Sequence, residues 1–219
     1  MVVGVIPAAG YARRLIGLTG SKEMVSVGGR PVIDHLVERM LAAADEIVVI
    51  TRPDKQDVVQ HVRPRGCRVV EGQPASVSES LLLGLRELDA TDVALLGFPD
   101  TIWEPQDGFA QLVRALDRTD VSLGVFRSEE PERSDVVTLD GDRVVSVQVK
   151  PTVPATNLVW GCSAARVSTL EGLDRHEEPG YLFDELAGER QVRAVPFPGA
   201  MIDIGTNEAL AKARTLFGE

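Results

Sequence analysis

Short apolar runs rich in β-branched residues alternate with amphipathic stretches through most of the first half of this chain, and this alternation constrains the fold more than any other feature. The runs at 47–50 and 93–96 are apolar at nearly every position, which is typical of strands covered by helices on both faces. The pattern predicts an α/β fold: a three-layer, doubly wound and mainly parallel sheet with right-handed crossovers. The predicted strands are Val2–Ile6, Glu46–Thr51, Arg68–Val70, Val93–Gly97 and Val121–Val125, and the predicted helices are Val32–Ala43, Asp54–Val62, Val77–Leu88 and Gly108–Leu116.

The pattern changes after about residue 134, where strands dominate. Runs at 135–139 and 143–149 flank Asp140-Gly141, a dipeptide that favours a two-residue hairpin turn. A helix near Tyr181–Ala187, a strand near Val192–Phe197 and a closing helix Asn207–Phe217 are predicted beyond it. Because no repeat or linker interrupts the chain, we expect one domain spanning 1–219 with a β-rich second half.

Charge and cysteine content narrow the possible partners and the compartment. The net charge of −10 repels a phosphate backbone, so a nucleic-acid partner is not expected. No apolar run approaches the roughly 20 residues of a membrane helix, and the N-terminus lacks the basic region of a signal peptide. The distant Cys67 and Cys162 suggest neither a disulfide framework nor a zinc site. We therefore expect a soluble, cytoplasmic protein without a membrane partner, whose anionic ligand is small and held by a local group of cations.

The first predicted strand runs directly into a loop of small residues in the stretch VIPAAGYARRL. Ligands of open parallel sheets bind at the carboxyl ends of the strands, where this loop lies. Ala8, Ala9 and Gly10 would let backbone N–H groups approach phosphate oxygens or a base, and Arg13 or Arg14 could then bind a phosphate. A plain strand-to-helix turn with solvated arginines explains these residues equally well. The sequence contains neither the dinucleotide-binding glycine fingerprint nor the P-loop pattern.

The residues after this loop carry a resemblance to a known family. The stretch SKEMVSVGGRPVIDHLVE places Lys22 eight residues after Arg14. Together, PAAG-x-x-x-RL, KEM and V-x-G-x-P-V-I resemble the nucleotide-binding signature of the sugar-1-phosphate nucleotidylyltransferases, which include the enzymes that make dTDP-glucose and UDP-glucose. The resemblance implies the fold of the nucleotide-diphospho-sugar transferases. It also implies that Arg14 and Lys22 bind the nucleoside triphosphate and take part in catalysis.

Two further segments of the first half extend the resemblance. In EGQPASVSESLLLGL, Gln73-Pro74 is similar to a strand end whose glutamine reads the nucleobase, and Ser78 stands where a glycine near the base is expected. In VALLGFPDTIW, an apolar strand runs into Asp100, which resembles the aspartate that holds magnesium in the family. From the residues alone, Gln73 also fits a polar loop before a helix, and Asp100 also fits a helix cap.

Two segments of the second half complete the resemblance. The stretch VQVKPTVPATNLVWGCSA resembles the acceptor-binding segment of the family, which implies that Lys150 meets the sugar phosphate and that Asn157 contacts the substrate. The stretch AMIDIGTNEALAKA resembles the closing segment and implies that Asp203 is a second metal ligand beside Asp100. Mg²⁺ commonly uses one or two carboxylates together with phosphates, which matches this count. The three histidines lie in no motif, and we expect them, like Cys162, to be surface or packing residues.

The reaction that the resemblance implies joins two anions. An oxygen of a sugar-1-phosphate attacks the α-phosphorus of a nucleoside triphosphate, with dTTP or UTP favoured, and pyrophosphate leaves. Lys22, Arg14 and Lys150 would supply positive charge, and Mg²⁺ is the expected cofactor. Because the nucleophile is already anionic, neither a covalent intermediate nor a general base is needed. Residues 1–130 would then be the nucleotide-binding half and 131–219 the sugar-phosphate-binding half, and a homo-oligomer is compatible with the sequence.

The sequence departs from the family pattern mainly around the sugar. Val149 stands where the family has a glutamate that holds a sugar hydroxyl. Ser134-Asp135 replaces a tyrosine–glycine pair, so that the side chain of Asp135 would narrow the approach of the substrate. Glucose as the sugar is therefore in question, because lost polar partners change selectivity.

Two other hypotheses remain open, and a third does not. A cytidylyltransferase acting on a non-sugar phosphate or phosphonate shares the opening loop and the lysine. A catalytically inactive nucleotide-sensing subunit would keep the fold, although joint retention of the cationic and acidic motif residues argues against it; these are Arg14, Lys22, Asp100 and Asp203. A nicotinamide-dependent oxidoreductase is excluded because the glycine fingerprint is missing.

Overall fold

The computed structural model describes residues 1–11, 15, 17, 20–199 and 201–218. Within those residues the strands are β1 (Val2–Pro7), β2 (Ser26–Val27), β3 (Arg30–Pro31), β4 (Glu46–Thr51), β5 (Arg68–Glu71), β6 (Val93–Gly97), β7 (Thr101–Ile102), β8 (Val121–Arg127), β9 (Val136–Asp140), β10 (Arg143–Gln148), β11 (Leu158–Arg166), β12 (Val192–Pro196) and β13 (Ile202–Asp203). The α-helices are α1 (Val32–Leu41), α2 (Gln56–Val62), α3 (Val77–Leu85), α4 (Gly108–Ala115), α5 (Pro179–Gly188) and α6 (Asn207–Phe217). Short 3₁₀ segments cover Lys22–Met24, Arg63–Arg65, Pro131–Arg133 and Val167–Arg175.

A large mixed sheet contains most of these strands, in the order β5-β4-β1-β6-β11-β8-β12-β10-β9. β5, β4, β1 and β6 are parallel neighbours, as their apolar composition predicted. β8 and β12 also pair in parallel. Among the described residues, the pairs that involve β9, β10 or β11 are antiparallel. The predicted α/β fold with a β-rich second half is confirmed.

Strand β11 is the long element that the sequence pattern did not predict. It lies antiparallel between β6 and β8, in the interior of the sheet. Almost every residue along it is buried, so it shows no alternation of apolar and polar positions. Its register with β8 shifts between Trp160 and Cys162, which places an irregularity at Gly161. The sequence predicts the acceptor-binding segment that overlaps the start of β11, but it does not predict the strand itself.

Helices cover both faces of the sheet and so form three layers. Along β1, Val3 and Val5 belong to the core cluster that includes Leu81 of α3 and Phe183 of α5. Ile6, which points to the opposite face, belongs to a second cluster with residues of α1, α2 and α4. This alternation along one strand is what a sheet buried on both faces requires.

The remaining chain adds small elements around this sheet. β13 and β7 form a separate two-stranded antiparallel ladder, and α6 packs on it through a small apolar cluster. β9 and β10 form the predicted hairpin, with Gly141 at a φ of +64° in its turn. Among the helices of the described ranges, none is long and apolar enough to cross a membrane.

Candidate functional site

The cavity that Lys22, Asp100 and Asp203 line, called the main cavity below, opens where the order of the parallel strands reverses. β1 has β4 on one side and β6 on the other, so the loops that leave β1 and β6 flank a crevice at their carboxyl ends. Open α/β sheets bind their ligands at such a position. The cavity has a volume of about 690 Å³. The predicted site residues that line it are Ala9, Gly10, Lys22, Asp100, Asp135, Lys150 and Asp203.

Lys22 and Asp100 form an ion pair in this cavity. The Lys22 Nζ atom lies 2.5 Å from Asp100 Oδ2. Burial lowers the pKa of the Lys22 amine, but attraction to Asp100, with smaller contributions from Glu23 and Asp203, outweighs burial and leaves the pKa above its ordinary value. Lys22 therefore carries a positive charge at neutral pH, in the cavity that the sequence predicted to bind phosphates.

Asp203 lies beside Asp100 because two short strands pair. The ladder between β13 and β7 aligns Asp203 with Thr101, and the Ile204 N–H donates to the Asp100 carbonyl oxygen at 2.9 Å. The Asp203 carboxylate accepts a hydrogen bond from the Gly205 N–H at 2.7 Å. Two aspartates that are far apart in sequence thus line one cavity, as the motif comparison implied.

The opening loop contributes backbone to the cavity. Ala9 and Gly10 line it, whereas Ala8 is fully buried and its N–H donates to the Ile50 carbonyl oxygen at 2.7 Å. A Cβ atom on Gly10 would lie 3.7 Å from Lys22 Nζ, so the loop backbone and this ammonium are close. Arg13 and Arg14 lie outside the described residues, and their roles remain predictions.

Cations from the segment after β4 bind the carbonyl oxygens of this loop. The Arg52 Nε–H donates to the Ala9 carbonyl oxygen at 2.8 Å. Lys55 Nζ donates to the carbonyl oxygens of Ala8 and Gly10 at 2.9 and 2.5 Å. Sequence reasoning missed both residues. The available signal was a pair of cations directly after a buried parallel strand, because that strand end shares its edge of the sheet with the opening loop.

The two residues predicted to contact the base do not line the cavity. Gln73 is exposed beside it, and its role in base recognition remains a prediction. Ser78 is fully buried in α3, and its N–H donates to the Glu177 carbonyl oxygen at 3.1 Å. This position corrects the prediction for Ser78, because a fully buried hydroxyl cannot reach a ligand in the cavity. Ser76, the N-cap of α3, lines the wall instead, as does Tyr11.

Asp135 lies at the other end of the cavity, against an indole. Trp160 Nε1–H donates to Asp135 Oδ2 at 3.2 Å. Asp135 is 9% exposed, and burial raises the pKa of its carboxyl group to about 6, although attraction to Lys150 opposes the rise. Lys150 Nζ pairs with Glu178 Oε1 at 2.5 Å. The predicted acceptor end of the site therefore contains both an ammonium group and carboxyl groups.

Val149 and Asn157 lie outside this cavity. A Cβ atom on Gly180 would be 2.9 Å from Val149 Cγ2, so Val149 packs against the start of α5. Asn157 lines a neighbouring cavity of about 760 Å³, which shares part of its lining with the main one. The carboxylates that line the predicted acceptor end of the main cavity are Asp135, Glu177 and Glu178.

The histidines and cysteines do not take part in this geometry. In the described part of the chain, His35, His61 and His176 line neither of the two cavities. Cys162 is fully buried, and burial raises the pKa of its thiol well above the ordinary value. A buried thiol of this kind is a packing residue and a poor nucleophile, as the sequence predicted.

Known proteins share this fold and these sequence features. A family model described as the MobA-like NTP transferase domain matches residues 4–185. A Haloferax volcanii protein named UTP–glucose-1-phosphate uridylyltransferase AglF is 28% identical over 166 residues, which cover 71% of this chain and 68% of that protein. A Sulfolobus acidocaldarius protein with the provisional name mannose-1-phosphate guanyltransferase is 24% identical over 217 residues. That match covers 94% of this chain, which spans only 60% of the length of the relative.

A solved structure shows the same fold over the whole chain. The UDP-glucose pyrophosphorylase from Acinetobacter baumannii aligns with a TM-score of 0.85 at 17% sequence identity. The alignment covers 100% of this chain and 94% of the other. The arrangement of strands and helices is therefore shared.

Proposed function

Because the chain belongs to the family of MobA-like NTP transferase domains, we propose that it is a sugar-1-phosphate nucleotidylyltransferase. It would join a nucleoside triphosphate to a sugar-1-phosphate and release pyrophosphate. The observation that carries this proposal is the meeting of Lys22, Asp100 and Asp203 in the cavity at the strand-order reversal. The names of the uridylyltransferase and guanyltransferase relatives support it.

The proposed chemistry needs positive charge more than it needs a nucleophile from the protein. A new bond forms between the sugar-phosphate oxygen and the α-phosphorus, while the bond from the α-phosphorus to the pyrophosphate oxygen breaks. The ammonium of Lys22 offsets charge on the triphosphate, and Lys150 does the same for the acceptor phosphate. Arg14 and Arg13 would add charge from the opening loop. This role suits a site whose described residues include no activated thiol or histidine.

Asp100 and Asp203 fit a hard divalent cation. Their oxygens are the ligands that Mg²⁺ prefers, and Mg²⁺ is usually held by one or two carboxylates together with substrate phosphates. The described residues contain no group of three or more His, Cys, Asp or Glu side chains that could hold a metal ion. When bound, Mg²⁺ would neutralise phosphate charge. Asp100 and Asp203 would hold the cation, and Lys22, which pairs with Asp100, would offer its positive charge to the triphosphate.

We propose that the two substrates occupy the two ends of the cavity. Ala9 and Gly10 would meet the nucleotide, which we propose to be dTTP or UTP, and Gln73 is the candidate for its base. Asp135 and Lys150 would meet the sugar-1-phosphate, with Asn157 in the neighbouring cavity. Residues 1–130 would thus form the nucleotide half and 131–219 the sugar half of one domain. We place this activity in the cytoplasm.

The test combines the common nucleoside triphosphates with a set of sugar-1-phosphates and measures pyrophosphate release. We expect turnover with dTTP or UTP and a hexose 1-phosphate. Lys22→Met should lower kcat/KM by roughly 10²-fold, the usual loss when one charge-stabilising donor is removed. Arg63→Met is the matched control, because Arg63 is an exposed cation that does not line the cavity. No pyrophosphate with any pair, or full activity of Lys22→Met, would contradict the proposal, and release only with CTP and a non-sugar acceptor would favour the cytidylyltransferase.

A further inference from the structure

Lys55 is a buried lysine that contacts described residues at both ends of the opening loop: Ala8 and Gly10 at its start and Glu23 just after it. It is the residue before α2 and is 6% exposed. Its Nζ atom donates to the carbonyl oxygens of Ala8 and Gly10 at 2.9 and 2.5 Å, at the first end of the loop. The same atom lies 2.9 Å from both carboxylate oxygens of Glu23, a fully buried residue just after the loop. One side chain therefore connects the first end of the loop to the segment that carries Lys22.

Two neighbours of Lys55 bind the same two ends. Arg52 donates to the Ala9 carbonyl oxygen, so three consecutive carbonyl oxygens of the loop are each bound by a cation. The Asp57 carboxylate accepts hydrogen bonds from the Ser21 N–H at 2.8 Å and from the Ser21 hydroxyl at 2.7 Å. We call residues 52–57 the brace. It binds both ends of the opening loop from outside the predicted motifs.

The charges of the brace resist any movement of the loop ends. A buried ammonium or carboxylate that loses its partner is strongly destabilising, so Lys55 and Glu23 hold each other in place. A carbonyl oxygen that turned into the cavity would repel a phosphate, and the cations of the brace hold the Ala8–Gly10 oxygens away from that position. The brace therefore acts on the backbone of the loop and on Lys22, both of which line the cavity.

We propose that Lys55 is a positioning residue for the nucleoside triphosphate. Through Glu23 and the carbonyl oxygens of Ala8 and Gly10, it fixes the distance between the opening loop and Lys22. Lys55 lines a smaller neighbouring cavity together with Lys22 but not the main cavity, so its effect on a ligand of the main cavity would run through these residues. The role given to the triphosphate rests on the proposed function, whereas the bracing of the loop does not.

The experiment replaces Lys55 with Met, which keeps the length of the side chain and removes its charge. Two quantities are measured: the Kd for dTTP and UTP by calorimetry, and hydrogen–deuterium exchange of peptides that cover residues 8–23. We expect the Kd to rise roughly ten- to hundredfold, because small displacements of binding groups have large effects. We also expect faster exchange in the loop peptides and an unchanged KM for the sugar-1-phosphate. Lys55→Arg, which keeps the charge, should recover part of the affinity.

Arg39→Met is the matched control for the loss of a buried cation. Arg39 is 3% exposed, pairs with Glu104 and does not line the cavity. We expect this variant to lose stability while keeping the Kd for the nucleotide and the exchange of the loop peptides. If Lys55 had only a structural role, Lys55→Met would likewise lose stability and keep the wild-type Kd and the wild-type exchange of the loop peptides. A folded Lys55→Met protein with wild-type affinity and wild-type exchange would therefore overturn the proposal.

Two further outcomes separate this proposal from the proposed function. If Lys55→Met does not fold, Asp57→Ala removes the acceptors of Ser21 and should change affinity and exchange in the same direction. Wild-type behaviour of Asp57→Ala would then overturn the proposal. A wild-type protein that binds no nucleoside triphosphate would contradict the proposed function, and the exchange data would still decide whether the brace holds the loop.

Discussion

In the cavity, the ammonium of Lys22 lies near the carboxylates of Asp100 and Asp203, and both carboxylates favour the charged form of the lysine. Lys22 is paired with Asp100, and Asp203 adds to the attraction that raises the pKa of Lys22. A divalent cation placed beside the two carboxylates would compete with Lys22 for Asp100. In the proposed site, the position of Lys22 would therefore depend on whether the two carboxylates hold a divalent cation.

The first residue-scale prediction concerns the two aspartates. Asp100→Asn and Asp203→Asn should each lower kcat by roughly 10²-fold and weaken Mn²⁺ binding, because an amide offers no negative charge to the cation. Excess chelator should abolish turnover in the wild type. Pyrophosphate release measures the rate, and electron paramagnetic resonance of free Mn²⁺ measures binding. Asp107→Asn, an exposed aspartate outside the cavity, should behave as the wild type. Normal Mn²⁺ binding by both cavity variants would refute the two-aspartate metal site.

The second residue-scale prediction concerns pH. The folded-state pKa of Asp135 is about 6, above its ordinary value of 3.8, so the folded protein holds this proton more tightly than the unfolded chain does. The resulting stability is fully present below pH 4 or so and is lost as the pH rises through about 6. Relative to Asp135→Asn, the wild type should therefore lose up to about 3 kcal/mol of unfolding free energy across this window.

Urea unfolding of both proteins across this pH range measures the difference. Asp117→Asn, at an exposed position, serves as the control for general effects of removing an aspartate. A difference between Asp135→Asn and the wild type that stays constant with pH would show that Asp135 does not hold its proton in the folded state.

Among the elements, α6 supports the ladder that carries the two aspartates. It packs on β7 and β13 through a cluster that includes Ile102, Ile204 and Ala213. Its N-terminus is capped by Thr206, whose hydroxyl accepts a hydrogen bond from the Ala209 N–H at 3.2 Å. The cap satisfies a backbone donor that the helix itself leaves unpaired. The stability of the end of α6 nearest to Asp203 therefore includes a contribution from the Thr206 hydroxyl.

The prediction at this scale is that Thr206→Ala lowers the free energy of unfolding by about 1 kcal/mol, the usual cost of removing an N-cap hydroxyl. Thr206→Ser keeps the hydroxyl and should stay close to the wild type. Urea unfolding followed by far-UV circular dichroism gives both values. Equal stability of Thr206→Ala and Thr206→Ser would show that the cap contributes nothing.

In the whole molecule, the two predicted halves are interleaved within one sheet. β11, from the second half, lies between β6 and β8 of the first half, and β12 pairs with β8. Unfolding of the second half would remove β11, the strand that joins β6 to β8, and would break the sheet between them. The cavity is likewise lined by residues of both halves. Cooperative folding of the whole sheet is therefore a condition for the proposed site.

The prediction at this scale is a single unfolding transition. Trp103 reports on the first half and Trp160 on the second, and both are buried. In Trp103→Phe, fluorescence of the remaining tryptophan should have the same urea midpoint as far-UV circular dichroism of that variant, and the same should hold in Trp160→Phe. Two separated midpoints within either variant would indicate halves that unfold independently.

The local pattern of the sequence was sufficient to predict many of the strands and helices. Val93–Gly97 and Asn207–Phe217 were predicted with the bounds that the structure shows, because apolar runs and helical periodicity are properties of neighbouring residues. β11 was missed because its residues are buried on both faces and show no alternation. The short ladders β2–β3 and β7–β13 were missed because strands of two residues have too little pattern to detect.

The sequence by itself determined the α/β class, the family resemblance and seven of the residues that line the cavity, since these depend on composition and on motifs of adjacent residues. Only the tertiary structure decided which of these residues contact one another. The pairing of Lys22 with Asp100 and the bracing of the opening loop by Lys55 join residues far apart in sequence. The same packing buried Ser78 and turned Val149 toward α5. Strand order and register set these contacts, and neither quantity is encoded in the pattern of any single segment.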